Sequence, residues 1–437
     1  MKTVMWQEDM ETMPREDMNR LQLGKLQKMV KRCYEQVPYY KKIMDEVGVT
    51  PDQIKTLDDI RRLPMTQKSD LRDNYPFGLF ASPLNEVVEV HASSGTTGKP
   101  IVGGYTRNDL NIWSDCMARI ISAAGVTSED IAQNSFGYGL FTGAFGLHYG
   151  MQKLGAMMVP ISSGSSEKQL MLMEDFGVTV SIATPSYAVY LSELAKEMGI
   201  ADKLKLRVGL YGSEMCTPEM RDQIEKNVGV TVYDNYGLTE LGGPGLSGEC
   251  LYRNGMHINE DHFIVEVLNP DTLEPAAEGE DGELVITPLS KEAFPIFRYR
   301  TKDVGHLIYE PCPCGRTQTR MTKVVGRTDD MLIIKGVNVF PSQIESVLVT
   351  APHIGPHYQL ILTKEKFMDV LEIRVELTDS SLLDQYGALE KLRAQIRINI
   401  RSVLGLDCKI TLMEPKTIER FTGKAKRLVD LRNQPTK

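Results

Sequence analysis

The ten residues His91–Pro100, HASSGTTGKP, carry two glycines, four hydroxyl side chains and one lysine. Backbone N–H groups around Gly95 and Gly98, with the hydroxyls of Ser93, Ser94, Thr96 and Thr97, suit an anion, and Lys99 adds positive charge. The spacing is not that of a P-loop, which needs four residues between its glycines and a hydroxyl after its lysine. Here Pro100 follows Lys99 and disfavours a helix starting there. Taken alone, the loop equally suits a solvated turn. In YGLTE (Tyr236–Glu240), Thr239 offers a hydroxyl to a phosphate oxygen. Beside it Glu240 offers a carboxylate to Mg²⁺, a hard cation that prefers oxygen. The bland counterpart is a helix N-cap with an acidic first turn. Asp303 in YRTKDVG can accept from two ribose hydroxyls or lie in a surface turn. Lys424 in RFTGKAKR follows a glycine in a basic stretch of a kind that is usually solvated.

Two further constellations stand apart. FGYGLFTGAFGLHYG (Phe136–Gly150) interleaves aromatic rings with glycines. It reads as an aromatic-walled slot or as a packing segment between a strand and a helix. PCPCGRT supplies Cys312 and Cys314, a C-x-C pair that suits a soft metal. GECLYRNGMHINEDH adds Cys250 with His257 or His262. Cys250, His257, Cys312 and Cys314 would make a closed structural zinc site; the alternative is free thiols in a loop. Cys33, Cys116 and Cys408 lie in apolar stretches and read as core thiols.

These residues need a scaffold. The chain has 437 residues, 42% hydrophobic and 25% charged, with a net charge of −8. That is enough for two or three domains and argues against a broad nucleic-acid surface. The first residues lack the apolar core of a signal peptide, no run is long enough to span a bilayer, and seven cysteines make no disulfide framework. A cytoplasmic protein without a membrane partner is the expectation. Residues 16–46 read as helices. VTVSIATPS and KLRVGLYGSE read as strands followed by helices, the second capped by Thr217 with Pro218 at the first helical position. GVTVYDNYGLTE is a third strand entering a glycine-rich turn. Repeated strand–turn–helix units predict an α/β fold with a parallel sheet flanked by helices, whose turns ATPS, YGSE and YGLTE face one crevice. Residues 256–325 read as a β-rich subdomain. The tail reads as a small α+β unit: a helix near Pro341–Val349, strands at YQLILT and VLEIRVEL, a helix carrying Leu389, Leu392, Ile396 and Ile400, and a last strand at CKITLM. The expected boundary divides residues 1–327 from 328–437.

SSGTTGKP, YGSE, YGLTE, YRTKD, GRTDD…KG and GKAKR occur in the order seen in the adenylate-forming acyl-CoA synthetase superfamily. The Phe136–Gly150 segment, MHINEDHFIVEV and GRTDDMLIIKGVNVFPSQIE resemble its phenylacetate–CoA ligase branch. The resemblance implies that ATP converts a carboxylic acid to an acyl-adenylate, which coenzyme A then captures. It implies that the Ser93–Lys99 loop holds the β- and γ-phosphates of ATP and that Gly212, Ser213 and Glu214 pack on adenine. Asn235 and Tyr236 then flank the base, with Asp234 and Gly237 in the same nucleotide stretch, and Asp303 binds ribose. Lys424 corresponds to the mobile catalytic lysine, and Arg327 and Asp329 to the hinge about which the C-terminal domain swings. Phe136, Tyr138, Phe141 and Ala144 fall at acyl-pocket positions. Phe136 replaces an expected tyrosine and Ala144 a commoner glycine, which points to a ring other than plain phenyl, such as an indoleacetate or a hydroxyphenylacetate. A homodimer is also implied. Two other readings stay open: transfer of AMP or acyl to a non-CoA acceptor, as in deazaflavin cofactor adenylylation, and a catalytically silent nucleotide-binding protein.

Overall fold

The computed structural model describes residues 4–93, 99–328, 332–334, 337–339, 341–365, 368–380, 382, 386–419 and 427–432. Helices Arg15–Gln36 and Pro38–Glu46 pack Leu26, Met29, Val30 and Cys33 inward. Leu21 and Leu23 are only partly covered, because Gln22 takes the buried position between them and donates to the Glu260 carbonyl at 2.8 Å.

Nine strands form the main sheet, in the order Leu307–Ile308, Arg320–Met321, Met256–Ile258, Gly243–Glu249, Thr231–Leu238, Val208–Tyr211, Val180–Ala183, Ile131–Asn134 and Met157–Val159. The five from Thr231–Leu238 to Met157–Val159 are parallel, and the rest pair antiparallel. Helices Pro185–Glu197 and Pro218–Val228 start where Thr184 and Thr217 accept from the backbone N–H three residues on, each with proline in the first turn. This satisfies donors that a helix start leaves orphaned.

One sequence expectation fails at the end of the third strand. The turn after Thr231–Leu238 leads into no helix. A 3₁₀ turn, Thr239–Leu241, is followed by the antiparallel strand Gly243–Glu249. Gly242 and Gly243 adopt φ of 105° and 90°, a region glycine enters without strain, and the chain doubles back. Residues 256–325 are β-rich, as expected, with their strands divided between two sheets. Met256–Ile258, Leu307–Ile308 and Arg320–Met321 extend the main sheet. Phe263–Leu268, Gly282–Pro288, Tyr299–Gly305 and Gly326–Arg327 form a second, antiparallel sheet.

The doubling back brings two backbones very close. A Cβ on Gly237 would lie 2.1 Å from the Gly243 carbonyl oxygen and 2.7 Å from the Pro244 Cα. Both obstacles are backbone in a paired strand, so neither yields cheaply. Gly237→Ala is expected to destabilise the protein by about 2–3 kcal/mol, as overpacking a filled interior does. Denaturant unfolding measures it, and an unchanged midpoint would contradict this strand spacing.

A separate C-terminal domain has its own core, in which Leu332, Ile344, Leu348, Leu360, Leu371, Ile373, Ile396, Ile400 and Ile410 are buried together. Helices Pro341–Thr350 and Tyr386–Leu404 pack beside a sheet ordered Lys409–Met413, Met368–Leu377, Ile354–Glu365, Leu428–Asp430. The strand at CKITLM is therefore not the last. Leu428–Asp430 pairs parallel with Leu360–Leu362, and the Leu360 N–H donates to the Arg427 carbonyl at 2.7 Å. Cys33, Cys116 and Cys408 are buried thiols, as is Cys216. Among the described residues no helix is long and apolar enough to cross a membrane.

Candidate functional site

A cleft of about 480 Å³ opens beyond the carboxyl ends of the parallel strands, between the two domains. Open α/β sheets place ligands there. Ser213, Glu214, Asp234, Asn235, Tyr236, Gly237, Asp303 and Arg327 line it from the N-terminal side. Gly212 sits just behind, so tight that a Cβ would meet the Asn235 carbonyl at 3.1 Å. Ser213 holds φ at 71°, an uncommon conformation for a residue with a side chain. Glu214 accepts from the Ser186 N–H at 2.7 Å, tying YGSE to the ATPS turn at the neighbouring strand end. The Asn235 amide donates to the Tyr211 carbonyl at 3.1 Å.

Asp303 owes its position to an irregular strand. Between Glu283↔Val304 and Val285↔Arg300 the register shifts, and Lys302 lies at φ 68° within the shift. Such bulges re-aim side chains. The Thr301 hydroxyl donates to the Leu284 carbonyl and accepts from the Asp303 N–H, fixing the bulge. Asp303 accepts from the Tyr236 hydroxyl at 2.6 Å and from the Arg327 guanidinium at 2.6 Å. Burial, and then the Asp303 charge, push the Tyr236 phenol well above its usual range, so it stays a donor.

Thr239 and Glu240 are buried beside this cleft rather than on its wall. The Thr239 and Thr142 hydroxyls lie 3.3 Å apart. The Tyr299 hydroxyl donates to Glu240 at 3.3 Å, and the Lys68 ammonium lies 3.7 Å away. Glu240 thus offers a carboxylate, the ligand type a hard dication prefers, with one phenol and one ammonium beside it. Ser93 closes the start of the glycine-rich loop by accepting from the Ile101 N–H at 3.0 Å. Beyond it, Lys99 stands over the Tyr75 ring, 5.3 Å from its centre. Ser94, Gly95, Thr96, Thr97, Gly98, Asp329 and Lys424 lie outside the described residues.

The opposite wall comes from the C-terminal domain: Pro341, Glu345, Tyr358, Leu360, Arg427 and Leu428. Sequence reasoning passed over Arg427, although it ends the basic run around Lys424. Its guanidinium pairs with Glu345, bonds the Tyr358 hydroxyl at 3.0 Å and lies 4.5 Å from that ring's centre. Burial opposes the charge, but Tyr358 and Glu345 outweigh it and hold the arginine ionised. Also missed were the partners of Asp234 at the cleft floor, where Arg221 and Lys323 both pair with Asp234 and Glu249, and Lys323, partly exposed, lines the cleft with Asp234. The four residues come from separate segments, and no local pattern joins them. Elsewhere between the domains, Lys416 pairs with Glu197 at 2.9 Å, both largely exposed. An exposed pair of this kind contributes under about 1 kcal/mol.

The aromatic segment folds as a loop entering helix Thr142–Leu154. Phe136 is buried and packs against Phe141, ring centres 6.0 Å apart. Ala144 is fully buried beside it, and its carbonyl accepts from the Asn134 amide. The Tyr138 hydroxyl meets His148 Nδ1 at 2.9 Å and the same Asn134 amide. Burial raises Tyr138 to about 12 and lowers His148, so the pair is neutral near pH 7. The four residues therefore share one neighbourhood, with Phe141 at its exposed rim.

The Cys250, His257, Cys312 and Cys314 ligand atoms all lie within 4.8 Å of one another. His262 is elsewhere. Its Nδ1 bonds the Ser290 hydroxyl and its Nε2 lies 3.1 Å from Asp261, so the open choice of imidazole falls to His257.

Comparisons with known proteins agree with this architecture. Residues 65–288 match the family model described as AMP-binding enzyme, and residues 336–432 that of the AMP-binding enzyme C-terminal domain. The phenylacetate-coenzyme A ligase of Thermus thermophilus is 45% identical over 98% of this chain and 100% of its own length. That of Escherichia coli is 45% identical over 97% of each. Among solved structures, 2-hydroxyisobutyryl-CoA ligase in the postadenylation state with 2-HIB-AMP superposes with a TM-score of 0.90. It is 30% identical, covering 97% of this chain and 91% of the other. The same ligase with 2-HIB-AMP and CoA in the thioesterification state gives 0.71 at 30% identity, covering 97% and 92%.

Proposed function

The chain belongs to the phenylacetate–coenzyme A ligase family and is an AMP-forming acid–CoA ligase, and from that premise we propose that its acid is an arylacetate activated in the cleft between the two domains. The single observation that carries this is the convergence of YGSE, Asp234–Gly237, Asp303 and Arg327 on one cleft, with the Phe136–Ala144 neighbourhood joined to it through Thr142 and Thr239.

A carboxylate does not acylate a thiol at neutral pH, because its oxygen is a poor leaving group. In the proposed first step a carboxylate oxygen attacks the α-phosphorus of ATP and pyrophosphate leaves. In the second the CoA thiolate attacks the acyl carbon and AMP leaves. The ribose hydroxyls are assigned to Asp303 and the adenine to Gly212, Ser213, Glu214, Asn235 and Tyr236. The phosphates are assigned to the Ser93–Lys99 loop and Thr239. Glu240 would hold Mg²⁺, which when bound offsets the negative charge of the phosphates. Lys424 supplies a second positive charge during adenylation.

The mobile unit is taken as residues 328–437, with Arg327 and Asp329 at the hinge. The higher superposition score on the postadenylation structure supports reading the present orientation as one of two. The weak Lys416–Glu197 contact fits a domain that must leave again. Hinges absorb such changes at a few positions.

The neutral Tyr138–His148 pair in an otherwise aromatic neighbourhood supports a ring bearing a polar group, such as a hydroxyphenylacetate or indoleacetate, over plain phenylacetate. Pyrophosphate release should be measured with ATP, Mg²⁺ and a panel of acids, together with thioester formation on adding CoA. Arylacetates should lead, and thioester should appear only with CoA. Turnover of short aliphatic acids alone would overturn the acid assignment, and AMP incorporation into a deazaflavin without thioester would favour the other acceptor.

A further inference from the structure

The proposed reaction does not use the Cys/His cluster. Cys250 follows the strand Gly243–Glu249, and His257 lies in Met256–Ile258. Cys312 and Cys314 sit in the loop between Leu307–Ile308 and Arg320–Met321, where the Gly315 N–H donates to the Cys312 carbonyl and Gly315 takes φ 88°. All four side chains are buried, Cys250 completely. The Cys250 and Cys312 sulfurs are 3.7 Å apart, and the Cys314 sulfur is 3.3 Å from His257 Nε2. A disulfide needs about 2.05 Å between sulfurs, so the thiols are not bonded to each other. Zn–S bonds of about 2.3 Å and Zn–N bonds of about 2.0–2.1 Å at tetrahedral angles separate two sulfurs by roughly 3.8 Å, and sulfur from nitrogen by roughly 3.6 Å. The observed separations are close to those edges. Three thiols and an imidazole form a soft, closed ligand set with no position left for substrate.

What the cluster shapes is visible in the next residues of the loop. Arg316, two positions after Cys314, donates to Glu11 at 2.6 Å, with both side chains at most 1% exposed. It also donates to the Val4 carbonyl at 2.7 Å. The Thr317 N–H donates to the Glu11 carbonyl and the Thr317 hydroxyl to the Met13 carbonyl. Of residues 4–14, only Glu11 is buried. The segment is thus held by polar bonds rather than by an apolar face: those to this loop, one from the Trp6 indole to Asp115 at 3.0 Å and one from Arg119 to the Gln7 side chain at 2.6 Å, Asp115 and Arg119 both lying on helix Arg107–Ala123. A buried ion pair stabilises only when its geometry is held closely, and the loop itself contains no strand between Ile308 and Arg320.

We propose that Cys250, His257, Cys312 and Cys314 bind one structural zinc ion, and that this ion holds the 312–317 loop in the shape that docks residues 4–14 onto the sheet. The zinc ties two sheet positions, Cys250 and His257, to the turn that presents Arg316 and Thr317. Its loss releases the N-terminal segment first.

The test uses the full-length protein, expressed without a metal-binding tag and purified under reducing conditions. Elemental analysis should find one zinc per chain. Growth with cobalt in place of zinc should give the intense visible bands of tetrahedral thiolate coordination. Cys314→Ser should lose most of the metal and raise amide hydrogen exchange across residues 4–17 at least about tenfold, while the strands Val180–Ala183 and Val208–Tyr211 keep their protection. Glu11→Gln should raise exchange in the same segment with the zinc content unchanged, which places docking downstream of the metal. Wild-type protein without metal, its thiols freely titratable, would overturn the site whatever the variants do. A Cys314→Ser protein that loses zinc but keeps residues 4–17 protected would overturn the docking role.

Discussion

Lys424→Ala is expected to slow acyl-adenylate formation by about 10²–10³-fold, the usual cost of removing one preorganised group from a charge that develops in the transition state. Thioester formation from a supplied acyl-adenylate should be unchanged, because that step needs no second cation on a departing pyrophosphate. The split between the half-reactions carries the information. Unfolding or loss of CoA binding would depress both, whereas the assigned role depresses only the first. Single-turnover measurements of each half-reaction decide it, and equal losses would remove Lys424 from the adenylation step. The proposed two-step chemistry calls for added positive charge of this kind, since a carboxylate must approach a polyphosphate of the same sign.

Asp303→Ala should raise the KM for ATP by about 10–100-fold. The variant would lose the proposed contact to the ribose, and the net loss of one hydrogen bond to a charged acceptor is about 1.5–3 kcal/mol, where 1.4 kcal/mol is tenfold. Asp303→Asn keeps the shape and much of the bulge, because Thr301 and the Asp303 backbone N–H fix it without the carboxylate. It should therefore fall between alanine and wild type. The effect belongs in KM for ATP, with the KM for the acid little changed. An unaltered ATP KM in both variants would show that the nucleotide sugar binds elsewhere.

Much of the scaffold could be read from short-range signals. Thr217 before Pro218 marked a helix start, and alternation in HFIVEVLNP and GELVITPL marked two strands that pair over six residue pairs. Such features depend on neighbours a few positions away. What escaped was long-range. Arg427 finds Glu345 and Tyr358 at separations of 82 and 69 residues, and nothing in a basic run announces that its last member is drawn into a paired, partly buried site. The same basic residues hid the strand Leu428–Asp430, too short for a period to show. The helix expected after YGLTE failed for a different reason. Its glycines were legible, but a glycine-rich turn can deliver the chain into a helix or a strand alike. Here they permit a strand to fold back within 2.1 Å of where a Cβ would sit. The cysteine cluster shows the opposite case. Its C-x-C spacing was local, and the choice between His257 and His262 required knowing which sheet each strand joined.

Asp303 binds Arg327 and also lines the cleft, so one carboxylate is shared between the pocket and the first residues of the connection to the small domain. Any molecule that draws on that carboxylate alters the energy of its bond to the connection, and any rotation that stretches the bond alters the pocket. Thermodynamic reciprocity makes the two effects equal in magnitude. Whatever factor would separate nucleotide affinity in the two proposed orientations is also the factor by which nucleotide would bias the orientation.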